Sequence, residues 1–211
     1  MRNDSLRSKA RARSANRAKP ESPVTQRRKG RSKRFEGARF YTIGHSTRTL
    51  DELVALLRAF DISVVADVRT IPRSRHNPQF DGRALRAALR SRRFRYVHLP
   101  ELGGLRRPRK DSSNTAWRNA SFRGFADYMS TDEFEAGIAK LYALRREGSV
   151  VMMCAEAVPW RCHRSLVADA LTARGAHVEH ITNPKRSSPH RMTAFAKVEG
   201  LQVTYPGESE P

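Results

Sequence analysis

FYTIGHSTRTLDELVALLRAFDISVVADV, residues 40–68, changes its period twice. Phe40–Ile43 is a short apolar run that stops at Gly44, as a strand does. Thr49 is followed three residues later by Glu52. In that capping box each side chain satisfies a backbone N–H beside the other, which opens a helix. Leu50, Leu53, Val54 and Leu57 then recur at helical spacing and form one apolar face. Ile62–Val68 follows, with Val64, Val65 and Ala66 continuous. An unbroken apolar run this short fits a strand buried on both faces, as in a parallel sheet. Strand, helix, buried strand is a βαβ unit, and it predicts the α/β class.

The pattern continues outward. Asp81–Arg92 reads as a helix with Leu85 and Leu89 inward, and Arg95–Leu99 as a third strand. Residues 103–120, rich in Gly, Arg, Ser and Asn, read as an exposed loop. Ser121–Met129 is a short helix, and Ser130–Glu133 a second capping box opening a helix to about Arg146. Val150–Cys154 is a fourth strand, Arg164–Arg174 a helix ending at Gly175, and Val178–Ile181 a fifth strand. The expectation is a single three-layer α/β domain over 40–183, built on a mainly parallel sheet of about five strands. A disordered basic tail at 1–39 and a weakly patterned C-terminal extension at 184–211 flank it.

The 211 residues carry a net charge of +20. Residues 1–39 hold 14 Lys and Arg against 3 Asp and Glu, with no apolar periodicity to repay ordering. Such a field attracts polyanions, chiefly nucleic acid. Two cysteines, Cys154 and Cys162, do not make a secreted disulfide framework. No apolar run is long enough to span a bilayer, and the N-terminus lacks the apolar core of a secretory signal. A cytoplasmic location with no membrane partner is expected.

Chemically capable residues fall just beyond the strands. His45 and Ser46 follow the first. Asp67, Arg69, Ser74 and Arg75 follow the second. His98 lies in the third, with Gly103 and Gly104 beyond it. Cys154 and Glu156 follow the fourth. Ligands of open parallel sheets bind outside the carboxyl ends of the strands, so these groups converge on one rim if the sheet forms. The densest stretch is 151–164, VMMCAEAVPWRCHR. A cysteine leaves a buried strand, a loop crosses, and a helix starts near Cys162, His163 and Arg164. Free amides at a helix start bind anions and lower a thiol pKa. Three readings stay open here: a cysteine nucleophile, a metal held by Cys154, Cys162 and His163, and a non-catalytic anion-binding loop. The Cys-x5-Arg spacing of cysteine phosphatases is absent, since Trp160 stands sixth after Cys154.

Tyr41–Ser46, Asp67-Val68-Arg69 with Pro72, Ser74 and Arg75, Glu101–Gly104, Cys154-Ala155-Glu156 and Cys162-His163-Arg164 together resemble the bacterial and archaeal domain-of-unknown-function family 488, from about Tyr41 to Ile181. The resemblance implies a compact cytosolic α/β domain and brings no settled reaction. The leading expectation is an enzyme acting on a phosphate-bearing substrate, a nucleotide or nucleic acid, with no cofactor required. Arg69, Arg75 and Arg164 would bind phosphate, Cys154 would be the nucleophile, and His45 or Glu156 would carry protons. Ser46, Asp67, Ser74, His98, Gly103, Gly104, Cys162 and His163 complete the anion-binding rim. The rival is a nucleic-acid-binding module that uses the tail and the loop without catalysis.

Overall fold

The computed structural model describes residues 34–207. Most of the expected basic tail lies outside them. The last residues assigned to it are part of the fold. Phe35 is buried and stacks on Tyr142 at 4.1 Å between ring centroids, and its N–H bonds the Arg174 carbonyl at 2.8 Å.

The chain order is β1 (Arg39–Gly44), α1 (Leu50–Ala59), β2 (Val64–Asp67), α2 (Gly82–Ser91), β3 (Arg95–His98), α3 (Ala120–Tyr128), α4 (Asp132–Ala143), β4 (Val150–Cys154), α5 (Arg164–Ala173) and β5 (His177–Asn183). The capping box of α1 forms as the sequence dictates, with Glu52 Oε2 accepting from Thr49 N at 2.6 Å. The second capping box does not form at Ser130. Its hydroxyl donates to the Asp127 carbonyl of the preceding helix, and Thr131 caps α4 one residue later through Phe134 N.

The sheet order is β3-β2-β4-β1-β5, all parallel, and a sixth strand, β6 (Arg186–Pro189), pairs antiparallel with β5. The α/β class and the three layers expected from the sequence are therefore present. Successive residues of a strand point to opposite faces. Val150, Met152 and Cys154 of β4 join α3, α4 and α5 on one side. Val151 and Met153 join α1 and α2 on the other. The loop leaving β1 thus turns toward one layer and the loop leaving its neighbour β4 toward the other. The segment leaving β2, on the other side of β4, heads for the same layer as the one leaving β1, and the crevice opens between it and the loop leaving β4.

The weakly patterned segment after Asn183 adds β6 and a hairpin, β7 (Lys197–Glu199) with β8 (Gln202–Thr204). It also inserts Tyr205, fully buried, whose hydroxyl donates to Asp169 Oδ2 at 2.8 Å. Asp169, likewise fully buried, also accepts from His190 Nε2 at 2.8 Å and from Thr193 Oγ1 at 2.7 Å. Such a carboxylate is tolerated only because donors surround it. The loop at 103–119 contains neither helix nor strand, yet it is pinned. Buried Asn114 donates to Asp127 at 2.8 Å and accepts from Tyr205 N at 2.8 Å. No helix among the described residues is long and apolar enough to cross a membrane.

Tyr205→Phe removes one donor from a buried carboxylate and should cost about 2 kcal/mol. Tyr205→Ala adds a cavity and should cost roughly 3–5 kcal/mol. Urea unfolding monitored by circular dichroism measures both.

Candidate functional site

Register brings the strand ends together. Gly44 of β1 lies beside Cys154 of β4, and Asp67 of β2 beside Met153. The chain after Cys154 folds directly over β1. His45 N bonds the Cys154 carbonyl and Ser46 N the Ala155 carbonyl, each at 2.9 Å. A Cβ at Gly44 would lie 1.9 Å from the Glu156 carbonyl oxygen, so no other residue fits there.

The crevice above these ends is a cleft of about 520 Å³. Cys154, Cys162 and His163 line it with Ala155, Glu156 and Arg161 from the same loop. Arg69, Thr70, Ile71 and Arg73 come from the segment after β2, and Gly104, Leu105, Ser121 and Phe122 form the remaining wall. Both cysteines are buried and free. The donor atoms of Cys154, Cys162 and His163 lie within 4.8 Å of one another. His163 donates Nε2–H to the Val68 carbonyl at 3.0 Å, and its Nδ1 lies 3.6 Å from Cys162 Sγ. Burial keeps this imidazole below its ordinary pKa, hence neutral. A Cβ at Gly104 would come within 2.4 Å of that Nδ1, so the glycine lets the loop close on the ring.

The two thiols form a coupled pair. Cys162 donates to Cys154, which lowers the Cys154 pKa well below the usual thiol range against the effect of burial. Arg164 and the Glu156 amide act in the same direction. Donation and burial raise the Cys162 pKa. One proton serves two sulfurs, and the thiolate is Cys154. Arg164 lies beneath, fully buried, with Nη1 on the Ile43 carbonyl and Nη2 3.4 Å from the Ala157 carbonyl. It makes no ion pair with a carboxylate among the described residues, and its Nε has no partner. A desolvated guanidinium of this kind favours an anion beside it.

The other expected residues are placed as follows. Arg69 reaches the cleft, but its guanidinium is held. It bonds both Asp67 oxygens at 2.5–3.1 Å, the Phe80 carbonyl at 2.9 Å and His45 Nε2 at 3.3 Å. Asp67, fully buried, also accepts from Tyr96 at 2.7 Å. His45 stacks on Phe80, donates Nδ1–H to the Ser46 carbonyl and spends Nε2 on Arg69. It positions Arg69 and has no nitrogen left to move protons. Ser46 turns the chain at φ 49° outside the cleft. Ser74 accepts from Asn77 N within its own turn, exposed Arg75 is not brought to the cleft, and His98 donates to the Arg69 carbonyl at 2.8 Å. Gly103 packs against Thr70, and Glu156 stands exposed at the rim, accepting from Val158 N. The loop amides divide in two: the N–H groups of Arg161, Cys162, Ser165 and Leu166 bond carbonyls of the same segment, while those of Glu156 and Arg164 face the Cys154 and Cys162 sulfurs.

The cations left for a ligand are Arg73 and Arg161, both exposed in the cleft and neither in an ion pair with a carboxylate. Thr70, Ile71, Leu105, Ser121 and Phe122 were not candidates from the sequence. Apolar and hydroxyl residues in loops and at a helix start resemble ordinary packing, and only the fold turns them toward the cysteines.

Burial lowers the His45 and His180 pKa values from 6.5 to about 4. The unfolded chain therefore takes up these protons first. The stability they contribute is intact above about pH 6.5 and falls as the pH drops toward 4, by up to roughly 3 kcal/mol per histidine. Urea midpoints between pH 7 and pH 4 should fall, and His45→Gln should flatten the slope by about one proton.

Residues 49–171 match the family described as Domain of unknown function DUF488. No curated protein and no solved structure matches the chain. The matched span covers more than half of the sequence and contains β2, β4 and both cysteines, so the crevice just described is built from the family's own segment, and the chain belongs to the DUF488 family.

Proposed function

We propose that this protein is a thiolate-dependent transferase or hydrolase acting on a phosphate-bearing substrate. The observation that supports this most is the Cys154 thiol, held as thiolate by Cys162 and Arg164, at the floor of a cleft whose unpaired cations are Arg73 and Arg161. A thiolate, unlike a thiol, is a nucleophile at neutral pH. In this reading Arg73 and Arg161 bind the phosphate oxygens, replacing Arg75 and Arg164 in that role. Arg69 contributes its field, since its donors are occupied. Sγ of Cys154 attacks the electrophilic centre with its lone pair, and the leaving group takes a proton from Glu156 at the rim or from water. Cys162 keeps the thiolate charged before attack and can protonate the site as the charge is consumed. Phe122, Leu105 and Ile71 give one side of the cleft an apolar wall.

A second reading has its own observation. The Cys154, Cys162 and His163 donors are close enough to share a soft divalent cation such as zinc, and the Val68 carbonyl orients the imidazole as a metal ligand requires. Elemental analysis of protein purified without added metal separates the two. About one equivalent of zinc with unreactive thiols would replace the nucleophile reading.

Iodoacetamide labelling against pH tests the first reading. Cys154 should label fast, with an apparent pKa well below the free-thiol reference of about 8.5. Cys162→Ala should keep Cys154 available while raising that pKa, because the donor that supports the thiolate is gone. Inorganic phosphate should protect Cys154, and Arg73→Ala or Arg161→Ala should weaken that protection about fivefold each, roughly 1 kcal/mol. Two slow cysteines indifferent to phosphate would remove the thiolate role.

A further inference from the structure

The partition beside the cysteine cleft has a second side. Pro159–Arg161 forms a single 3-10 turn before α5. Arg161 points to the cysteine cleft, while Trp160, one residue earlier, lines a separate depression of about 590 Å³. Trp117 faces that depression and stacks at 4.7 Å on Phe122, which lines the cysteine cleft. Two neighbouring pairs, Trp160 with Arg161 and Trp117 with Phe122, therefore divide the two cavities.

Trp160 is 74% exposed, unusual for an indole with no partner across it. Trp117 differs. Its ring is packed among Phe122, Phe195 and Tyr205, but its buried Nε1–H has no acceptor among the described residues. The floor is polar yet internally satisfied. His180 bonds Thr42 Oγ1 at 2.7 Å and His190 at 3.0 Å, and His190 bonds Asp169. A cavity lined by two indoles and the exposed Arg191, with one unmet donor, suits a flat heteroaromatic ring, against which both an indole and a guanidinium can stack. The cation one residue from its stacking face suits a phosphate attached to that ring.

We propose that this depression takes the base of a nucleotide whose phosphate lies in the cysteine cleft, with Trp160 stacking on the base and Arg161 holding the phosphate. This rests on the phosphate-bearing substrate argued above and narrows it to the nucleotide class. Trp160 and Arg161 are adjacent and both exposed on one turn, so a ligand lying across the turn can meet both side chains. The net charge of +20 favours such a ligand at both sites.

Tryptophan fluorescence titrations with adenosine monophosphate, adenosine and inorganic phosphate provide the test. The nucleotide should quench the wild-type emission. Trp160→Ala, at an exposed position that leaves the fold intact, should bind it about 5- to 100-fold more weakly, the range of one stacked base. Trp160→Phe should recover most of that loss. Inorganic phosphate should compete without quenching, and adenosine should quench only at higher concentration. A short single-stranded oligonucleotide that binds more tightly and loses the same factor in Trp160→Ala would identify a strand as the source of the base. Equal nucleotide affinity in wild type and Trp160→Ala would overturn the proposal, as would phosphate that fails to compete. Iodoacetamide labelling of Cys154 in Trp160→Ala should match the wild type, so the base site stands or falls separately from the thiolate chemistry.

Discussion

Arg164 carries a full positive charge in the interior, and the surrounding structure is arranged to accommodate it. Two backbone carbonyls receive its guanidinium, Ile43 from β1 and Ala157 from the loop after β4, but no carboxylate among the described residues does. A buried charge without a counter-ion is costly. The anion that compensates is the Cys154 thiolate, which Cys162 stabilises with its own proton. The same guanidinium ties β1, the loop after β4 and α5 together at one point, so the stability of that edge depends on one buried ion.

Asp67 plays the complementary part on the other side of the crevice. It is a buried anion with a dedicated cation, Arg69, and a dedicated hydroxyl, Tyr96. Because Arg69 is fully engaged with Asp67, His45 and Phe80, the segment after β2 leaves along a fixed path and delivers Thr70, Ile71 and Arg73 to the cleft wall. A locked arginine builds the cleft wall, and Arg73 and Arg161, in no ion pair with a carboxylate among the described residues, are exposed within the cleft. The three arginines have identical chemistry, and their roles are separated only by burial and partners.

The C-terminal segment surrounds a further buried charge, Asp169 of α5. Asp169 gathers Tyr205, Thr193 and His190, and His190 passes the chain of hydrogen bonds to His180 and Thr42 under the second depression. One end of the sheet thus holds two cavities over satisfied polar floors. The partition between them is short and carries chemically different side chains on its two sides.

The sequence by itself determined the α/β class, the five parallel strands, the Thr49 cap of α1 and the concentration of chemically capable side chains at residues 154–164. Each of these is written in local periodicity or short-range capping, and a strand's end fixes which residues follow it. The sequence also singled out Cys154, Cys162, His163 and Arg164, because polar and nucleophilic types interrupt an apolar pattern there. Only the tertiary structure decided the strand order, the sixth strand and the burial of Tyr205, since these depend on pairings between distant segments with no local signature. It also decided that His45 and Arg69 hold each other and that Ser74, Arg75 and His98 serve turns and backbone. A residue type states which bonds it can make, and the partners that fill them come from elsewhere in the chain.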